Sequence, residues 1–144
     1  MKMDMKSIEE KYTFEELLDI IKTLCAEDGC PWDRVQTHES LIPCLRNEAE
    51  EVVEAIDHQD MENLCEELGD VLLQVVMHSE IARKNGTFTI ADVIDGVSRK
   101  MVRRHPHVFG DVKADTPEAS LELWRQVKAE ERAEKAARRS AEKA

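Results

Sequence analysis

The chain has 144 residues, and its 31 acidic residues outnumber its 20 lysines and arginines, which gives a formal net charge of −11. This acidic excess argues against a nucleic-acid-binding surface and against attachment to an anionic membrane. The first dozen residues contain no apolar run suited to a signal sequence, and no stretch approaches the roughly 18 apolar residues that cross a bilayer. We therefore expect one main cytoplasmic domain that binds neither nucleic acid nor membrane.

The first predicted helix begins after Thr13, a good N-cap residue with Glu16 three positions on, as in a capping box. Its apolar residues recur at intervals of three and four, and Gly29 is expected to end the helix near Asp28. The next segment, CPWDRVQT, is predicted to be an ordered loop. Trp32 in this loop either covers the core as a lid, which is the favoured interpretation, or forms part of a ligand pocket.

Two longer helices are predicted to follow. The second is expected to run from its N-cap Ser40 to about Asp57, and the third from Met61 to Lys84, with Asp60 as its cap. Because the break between them is short, the two helices should be antiparallel neighbours.

Two carboxylate pairs lie in these helices, Glu48 with Glu51 and Glu67 with Asp70, each at a spacing of three residues. A shift of nineteen positions superimposes both the acidic and the apolar residues of one helix on those of the other. At about 100° per residue, both helices carry their acids on the same flank of the buried face, so four carboxylates converge in an antiparallel pair. Like charges this close require a cation between them or raise each other's pKa, and Mg²⁺ or Mn²⁺ suits the oxygen ligands. The alternative is four solvated surface acids.

A fourth helix is predicted from Thr89, and it ends in a basic run before Pro106. The run contains four cations within six residues: Arg99, Lys100, Arg103 and Arg104. Cations at a helix C-terminus favour the macrodipole, but four exceed that need. The pattern therefore favours a phosphate-binding role.

The last predicted helix begins at Thr116-Pro117-Glu118 and carries Trp124 and Lys128 one turn apart. From Ala129 the chain has nothing apolar to bury except alanine, so we expect a frayed or solvent-exposed tail. The predicted organisation is an extension over residues 1–12, a domain over 13–128 and a charged, Ala-rich tail over 129–144. The predicted fold is all-α, with four to five helices built on the antiparallel pair and enough apolar surface to suggest oligomerisation.

An acidic cluster with a nearby basic run and no nucleophile suggests metal-assisted attack of water on a phosphoanhydride. Lysines and arginines would hold the phosphate oxygens, and the ring of Trp124 or Trp32 could stack on a base.

With these motifs the sequence resembles the MazG family of nucleoside triphosphate pyrophosphohydrolases. The resemblance is carried by CPWDRVQTHESL, ELGDVLLQVV and KMVRRHPHVFGDV, and it covers about Leu17 to Lys128. It implies the all-α fold of that family and Mg²⁺ ligation by Glu48, Glu51, Glu67 and Asp70. It also implies that the nucleotide contacts Lys100, Arg104, Trp124 and Lys128.

The reaction that the resemblance implies is hydrolysis of a ribo- or deoxyribonucleoside triphosphate to the monophosphate and pyrophosphate. The implied assembly is a homodimer or a dimer of dimers. One departure concerns the family motif EExxE, whose first Glu is Asn47 here. The amide of Asn47 cannot take a proton at neutral pH. If this position orients a water molecule or binds a second metal ion, activity could be weaker or the substrate range different. If it only contacts the metal ligands, little changes. A dUTP- or dCTP-selective hydrolase and a non-catalytic helical homologue are the alternatives.

Overall fold

The computed structural model describes residues 4–143, so residues 1–3 of the predicted extension and residue 144 of the predicted tail lie outside the described residues. The helices are α1 (Phe14–Cys25), α2 (Ile42–Asp57), α3 (Met61–Lys84), α4 (Ile90–Arg103), α5 (Pro106–Phe109) and α6 (Pro117–Lys143), with a short 3-10 turn at Asp33–Val35. No described residue lies in a β-strand, which confirms the all-α prediction, and α5 adds a short helix to those expected. None of the described helices is long and apolar enough to cross a membrane.

Contacts between Cα atoms divide the chain into two compact units, the first ending at Ile90 and the second beginning at Ala91. In the first unit, α2 and α3 form the most extensive helix–helix contact among the described helices, and α1 also packs on α3. The buried core of this unit contains Ile21, Cys25, Leu41, Val76, Met77 and Ile81. Since α3 supplies half of this core, it is the central helix of the unit.

The reversal between α2 and α3 occupies three residues. Gln59 has a φ of 54°, a left-handed conformation that allows the chain to turn back within this distance. Asp60 then caps α3, because its carboxylate accepts a hydrogen bond of 3.1 Å from the backbone N–H of Asn63. The predicted bounds of α3 and the predicted cap are thereby confirmed.

The beginning of α1 is as predicted, and its end is not. Thr13 and Glu16 form the capping box, but α1 ends at Cys25 because Ala26 is already extended. Gly29 lies where the backbone passes close to the last turn of α1, and a Cβ atom there would clash with the carbonyl oxygens of Thr23 and Leu24. The glycine therefore lets the chain fold back on the end of α1.

The loop before α2 corrects two further predictions. Ser40 is not the N-cap of α2, which is Leu41. The Ser40 hydroxyl instead donates to the side-chain oxygen of Gln36 at 2.7 Å and accepts from the backbone N–H of Thr37 at 2.8 Å. Trp32 is not a lid over the core, because 57% of its surface is exposed. Local hydrogen bonds, and not the indole ring, hold this loop together.

A pair of histidines connects the same loop to α3. The Nδ1 atoms of His38 and His78 lie 2.8 Å apart, and their rings are stacked within 6° of parallel. Only one of the two rings can carry the proton between them. The Nε2 atom of His78 is buried without a hydrogen-bond partner among the described residues. An unpaired lone pair costs less there than an unpaired N–H, which favours His78 as the donor and His38 as the acceptor. Burial, followed by the proximity of His38, lowers the pKa of His78.

The second unit contains α5, α6 and all of α4 after its first residue. The basic end of α4 stops at Arg103, and Pro106 begins α5 instead of only terminating a helix. The segment expected to be frayed or solvent-exposed is helical to Lys143, and its residues after Glu131 are exposed. No residue of these three helices is buried, so the unit has no apolar core of its own among the described residues.

Candidate active site

Four carboxylates converge between α2 and α3, as the nineteen-residue shift predicts. One ligand oxygen from each of Glu48, Glu51, Glu67 and Asp70 can be chosen so that all lie within 4.8 Å of one another. We call these four residues the acidic cluster. Glu67 is the most enclosed member, with 9% of its surface exposed, whereas Glu51 is exposed. The cluster is therefore open on one side and backed by the helix pair.

The electrostatics of the acidic cluster are those of crowded like charges. A protonated Glu67 can donate a hydrogen bond to Glu51, and this, together with burial and the neighbouring charges, raises the pKa of Glu67 to about 7. Burial, followed by the charges of Glu51 and Asp70, raises the pKa of Glu48. The metal-free cluster thus retains a proton near neutral pH that isolated carboxylates would have lost.

The acidic cluster fits a hard divalent cation. Oε2 of Glu48 and Oε2 of Glu67 are buried and have no hydrogen-bond partner among the described residues. Buried carboxylate oxygens are seldom left unpaired, and a cation would satisfy both. Oxygen ligands on opposite sides of one Mg²⁺ lie about 4 Å apart, so only a small closure of the cluster would be required. The donor set, which is all carboxylate, suits Mg²⁺ or Mn²⁺ better than a softer metal.

Asn47 lies at the start of the acidic stretch of α2. Its side chain is exposed, and it lies one helical turn before Glu51. It is not one of the four groups that converge. Its predicted place as an outer partner of the metal site stays a prediction.

A second set of predicted site residues lies together in the second unit. Lys100, Arg103, Arg104 and Lys128 line a cavity of about 370 Å³. Two of these cations are already paired with carboxylates of α6. Arg103 makes two hydrogen bonds to Glu134, at 2.8 and 2.9 Å, and Arg104 contacts Glu131 at 3.0 Å. The arginines are therefore held in place, whereas neither lysine forms an ion pair within the described part of the chain, so the charges of both stay open to a ligand.

Trp124 lies beside this basic group. The Nζ atom of Lys128 is 4.6 Å from the centre of its ring, and the guanidinium carbon of Arg104 is 5.3 Å away. Both distances are typical of cation–π contacts. The contacts fix the indole next to the cations, so an aromatic base and its phosphates could be bound side by side.

The structure also reveals site residues that the sequence reasoning missed. Glu131 and Glu134 pair with the arginines of α4, and Arg132, Lys135 and Arg138 add three cations to the lining of the cavity. A signal was available, since these cations follow Lys128 at intervals of four, three and three, on one side of a continuing helix. An alternation of charges on a segment with nothing apolar to bury is equally typical of a solvent-exposed helix end, so the pattern alone does not indicate a site.

These features define a class: an all-α protein with a four-carboxylate site of the kind that holds divalent cations. Comparison with known proteins gives the family. Residues 36–109 match the model of the MazG nucleotide pyrophosphohydrolase domain. That span is about half of the chain and includes the whole acidic cluster. The chain belongs to the MazG family.

Similar proteins carry related names. A nucleoside triphosphate pyrophosphohydrolase/pyrophosphatase MazG from Thermotoga maritima is 51% identical over 129 residues, which cover 90% of this chain and 49% of that protein. A nucleoside triphosphate pyrophosphohydrolase from Escherichia coli is 43% identical over 123 residues, covering 85% of this chain and 47% of that protein. The chain thus spans about half the length of these relatives.

Similarity to a solved structure supports the same assignment. The crystal structure of a MazG-related protein from Thermotoga maritima aligns with a TM-score of 0.68 and 31% sequence identity. The alignment covers 80% of this chain and 98% of that one. The helical architecture therefore has an experimental counterpart in the family.

Proposed function

We propose that the protein hydrolyses nucleoside triphosphates, ribo- or deoxyribo-, to the monophosphate and pyrophosphate in a Mg²⁺-dependent reaction. The observation that carries this proposal is the convergence of four carboxylates within 4.8 Å inside a MazG domain. The names of the Thermotoga maritima and Escherichia coli relatives support the reaction class. Such an activity fits the maintenance of the nucleotide pool by a cytoplasmic enzyme.

In this proposal the acidic cluster holds the cation. Glu48, Glu51, Glu67 and Asp70 would supply its ligands from two adjacent helices, so only a small closure of the side chains would be needed when the cation binds. When bound, Mg²⁺ neutralises phosphate charge and lowers the pKa of a water molecule, which favours attack on the α–β phosphoanhydride. Binding requires the cluster to release its proton, so the affinity for Mg²⁺ rises with pH through the range set by Glu67.

The basic residues of the second unit would bind the nucleotide. Lys100 and Lys128 would donate to phosphate oxygens, and Arg103 and Arg104 would add positive charge beside them while paired with Glu134 and Glu131. Trp124 provides a ring on which a base can stack. Trp32, whose ring is exposed, is a weaker candidate for the same role.

The activity is tested with a panel of ribo- and deoxyribonucleoside triphosphates in the presence of Mg²⁺, with pyrophosphate and orthophosphate measured separately. We expect pyrophosphate from at least one substrate and none when EDTA exceeds the metal. Orthophosphate as the first product would place the cleavage at the γ-phosphate and contradict the proposed bond. Absence of both products would favour the non-catalytic homologue, the reading to which Asn47 points. A panel in which only dUTP or dCTP reacts would identify the selective alternative.

We also propose that the protein works as a homodimer or a dimer of dimers. The outward faces of α2 and α3 expose a set of large apolar side chains that includes Leu45, Val53, Ile56, Leu68, Leu72 and Val75. Exposed apolar groups at helical spacing on adjacent helices favour burial against a second copy. Sedimentation equilibrium should give a mass of at least twice 16.5 kDa. A monomer at micromolar concentration would contradict this assembly.

A further inference from the structure

The cavity in the second unit is far more positive than the rest of the protein. It is lined by seven cations and two carboxylates, a formal excess of five positive charges in a chain whose net charge is −11. Three of the seven cations, Arg132, Lys135 and Arg138, come from the charged C-terminal segment of α6. Such a concentration of one sign around a concave site attracts a ligand of the opposite sign.

The two carboxylates that line the cavity form their ion pairs with arginines of α4 and not with Arg132, Lys135 or Arg138. On an isolated helix, Glu131 would face Lys135 and Glu134 would face Arg138, since residues four apart are neighbours. In the structure both carboxylates are taken by arginines of α4 instead. No described carboxylate oxygen lies within 4.0 Å of a charged nitrogen of Arg132, Lys135 or Arg138. Arg103, with a smaller contribution from Arg138, lowers the pKa of Glu134, but the nitrogen donors of all three side chains remain open to a ligand.

The spacing of the cations indicates an extended anion. From Lys128 to Arg138 the cations occupy one side of α6 over ten residues, or about 15 Å along the helix axis. One phosphate group would engage only a part of this length. A chain of phosphates carries several charges over a longer distance, and guanidinium groups bind phosphate oxygens in a bidentate manner.

We propose that the C-terminal segment of α6 is a polyphosphate-binding element, in which Arg132, Lys135 and Arg138 hold the pyrophosphate portion of the substrate and the released product. This assignment rests on the proposed function for its substrate. It adds three binding residues to Lys100 and Lys128. It also gives the segment a role beyond that of a solvated helix end.

The test measures binding of inorganic pyrophosphate by titration calorimetry in EDTA, so that no divalent cation contributes. One variant carries Arg132→Gln, Lys135→Gln and Arg138→Gln. Its matched control carries Lys113→Gln, Arg125→Gln and Lys143→Gln, which remove the same charge from exposed positions outside the cavity lining. Glutamine keeps a helix propensity close to those of lysine and arginine, and circular dichroism checks that both variants remain helical.

We expect the dissociation constant for pyrophosphate to rise about tenfold or more in the first variant and less than about twofold in the control. Equal weakening in both variants would mean that only net charge matters and would overturn the assignment, as would no weakening in either. Orthophosphate that binds as tightly as pyrophosphate would also overturn it, because the site would then recognise a single phosphate.

The binding test of this inference and the activity test of the proposed function can fail independently. If the first variant binds pyrophosphate and hydrolyses substrate as the unmodified chain does, the inference fails and the proposed function stands. If the unmodified chain releases no pyrophosphate from any nucleotide but the first variant still loses pyrophosphate binding, the proposed function fails, the assignment to substrate and product fails with it, and the pyrophosphate-binding element itself stands.

Discussion

Above pH 7, replacement of Glu67 by Gln is expected to lower pyrophosphate release about 100-fold or more while raising the thermal stability of the metal-free protein. The two effects have one cause. Glu67 is the most enclosed member of the acidic cluster, so its charge, once the proton has been released, repels Glu48, Glu51 and Asp70, and in the proposed function the same charge binds the cation. A neutral amide of the same size removes both interactions. Mutation of a residue that only hydrogen-bonds a metal ligand already lowers activity, so loss of a ligand itself should lower it at least as much.

The matched control is Glu66→Gln, which removes the same charge from the adjacent exposed position of α3. The control should retain activity and should not share the stabilisation in EDTA. Activity and melting temperature are measured on the same preparations. If Glu67→Gln lowers both, the side chain is structural, and the assignment of Glu67 as a metal ligand is contradicted.

The second large effect is a pH dependence of stability that Mg²⁺ should reduce. Because the pKa of Glu67 is raised to about 7 from a usual value of 4.5, the folded chain binds a proton that the unfolded chain has already released. Stability from this group is therefore fully present below pH 4.5 and is lost as the pH rises through about 7. Metal-free protein should melt at progressively lower temperatures over this range, and saturating Mg²⁺ should reduce the decline because the cation replaces the proton.

His78 changes the pH dependence of stability in the direction opposite to Glu67. The contribution of Glu67 is therefore measured as the difference between the unmodified chain and Glu67→Gln. The lowered pKa of His78 gives stability that is present above pH 6.5 and is lost as the pH falls through its folded value. At each pH, the melting temperature of Glu67→Gln is subtracted from that of the unmodified chain, both in EDTA. This difference removes the part due to His78. A difference that does not change between pH 4.5 and 7.5 would contradict the raised pKa of Glu67.

The helix pair and the meeting of its acids could be predicted because both follow from local periodicity. The identical order of apolar and acidic residues around Glu48 and Glu67 fixes their angular positions, and the short reversal fixes the antiparallel direction. The prediction that the four carboxylates meet is confirmed by the geometry. The roles of the residues in binding metal and nucleotide stay predictions, since spacing shows which groups converge and not which ligand they hold.

The missed features depend on residues that are distant in the sequence. The pairing of Arg103 with Glu134 spans 31 positions, and that of His38 with His78 spans 40. Propensity alone favoured a helix after Ala129, but apolar content gave no reason for that helix to persist. Ser40 has the composition of a cap, yet its hydroxyl is taken by Gln36, a local competition that a pattern of residue types does not reveal.

The apolar side chains left open on α2 and α3 have a consequence for how stability is measured. If a second copy covers them, unfolding also separates the copies, and mass action then makes the melting temperature depend on protein concentration. Dilution would shift the equilibrium towards the unfolded chain without any change in pH or metal. The acidic cluster lies on the same two helices as these side chains, so Mg²⁺ binding and self-association would each strengthen the other through the folding of this helix pair.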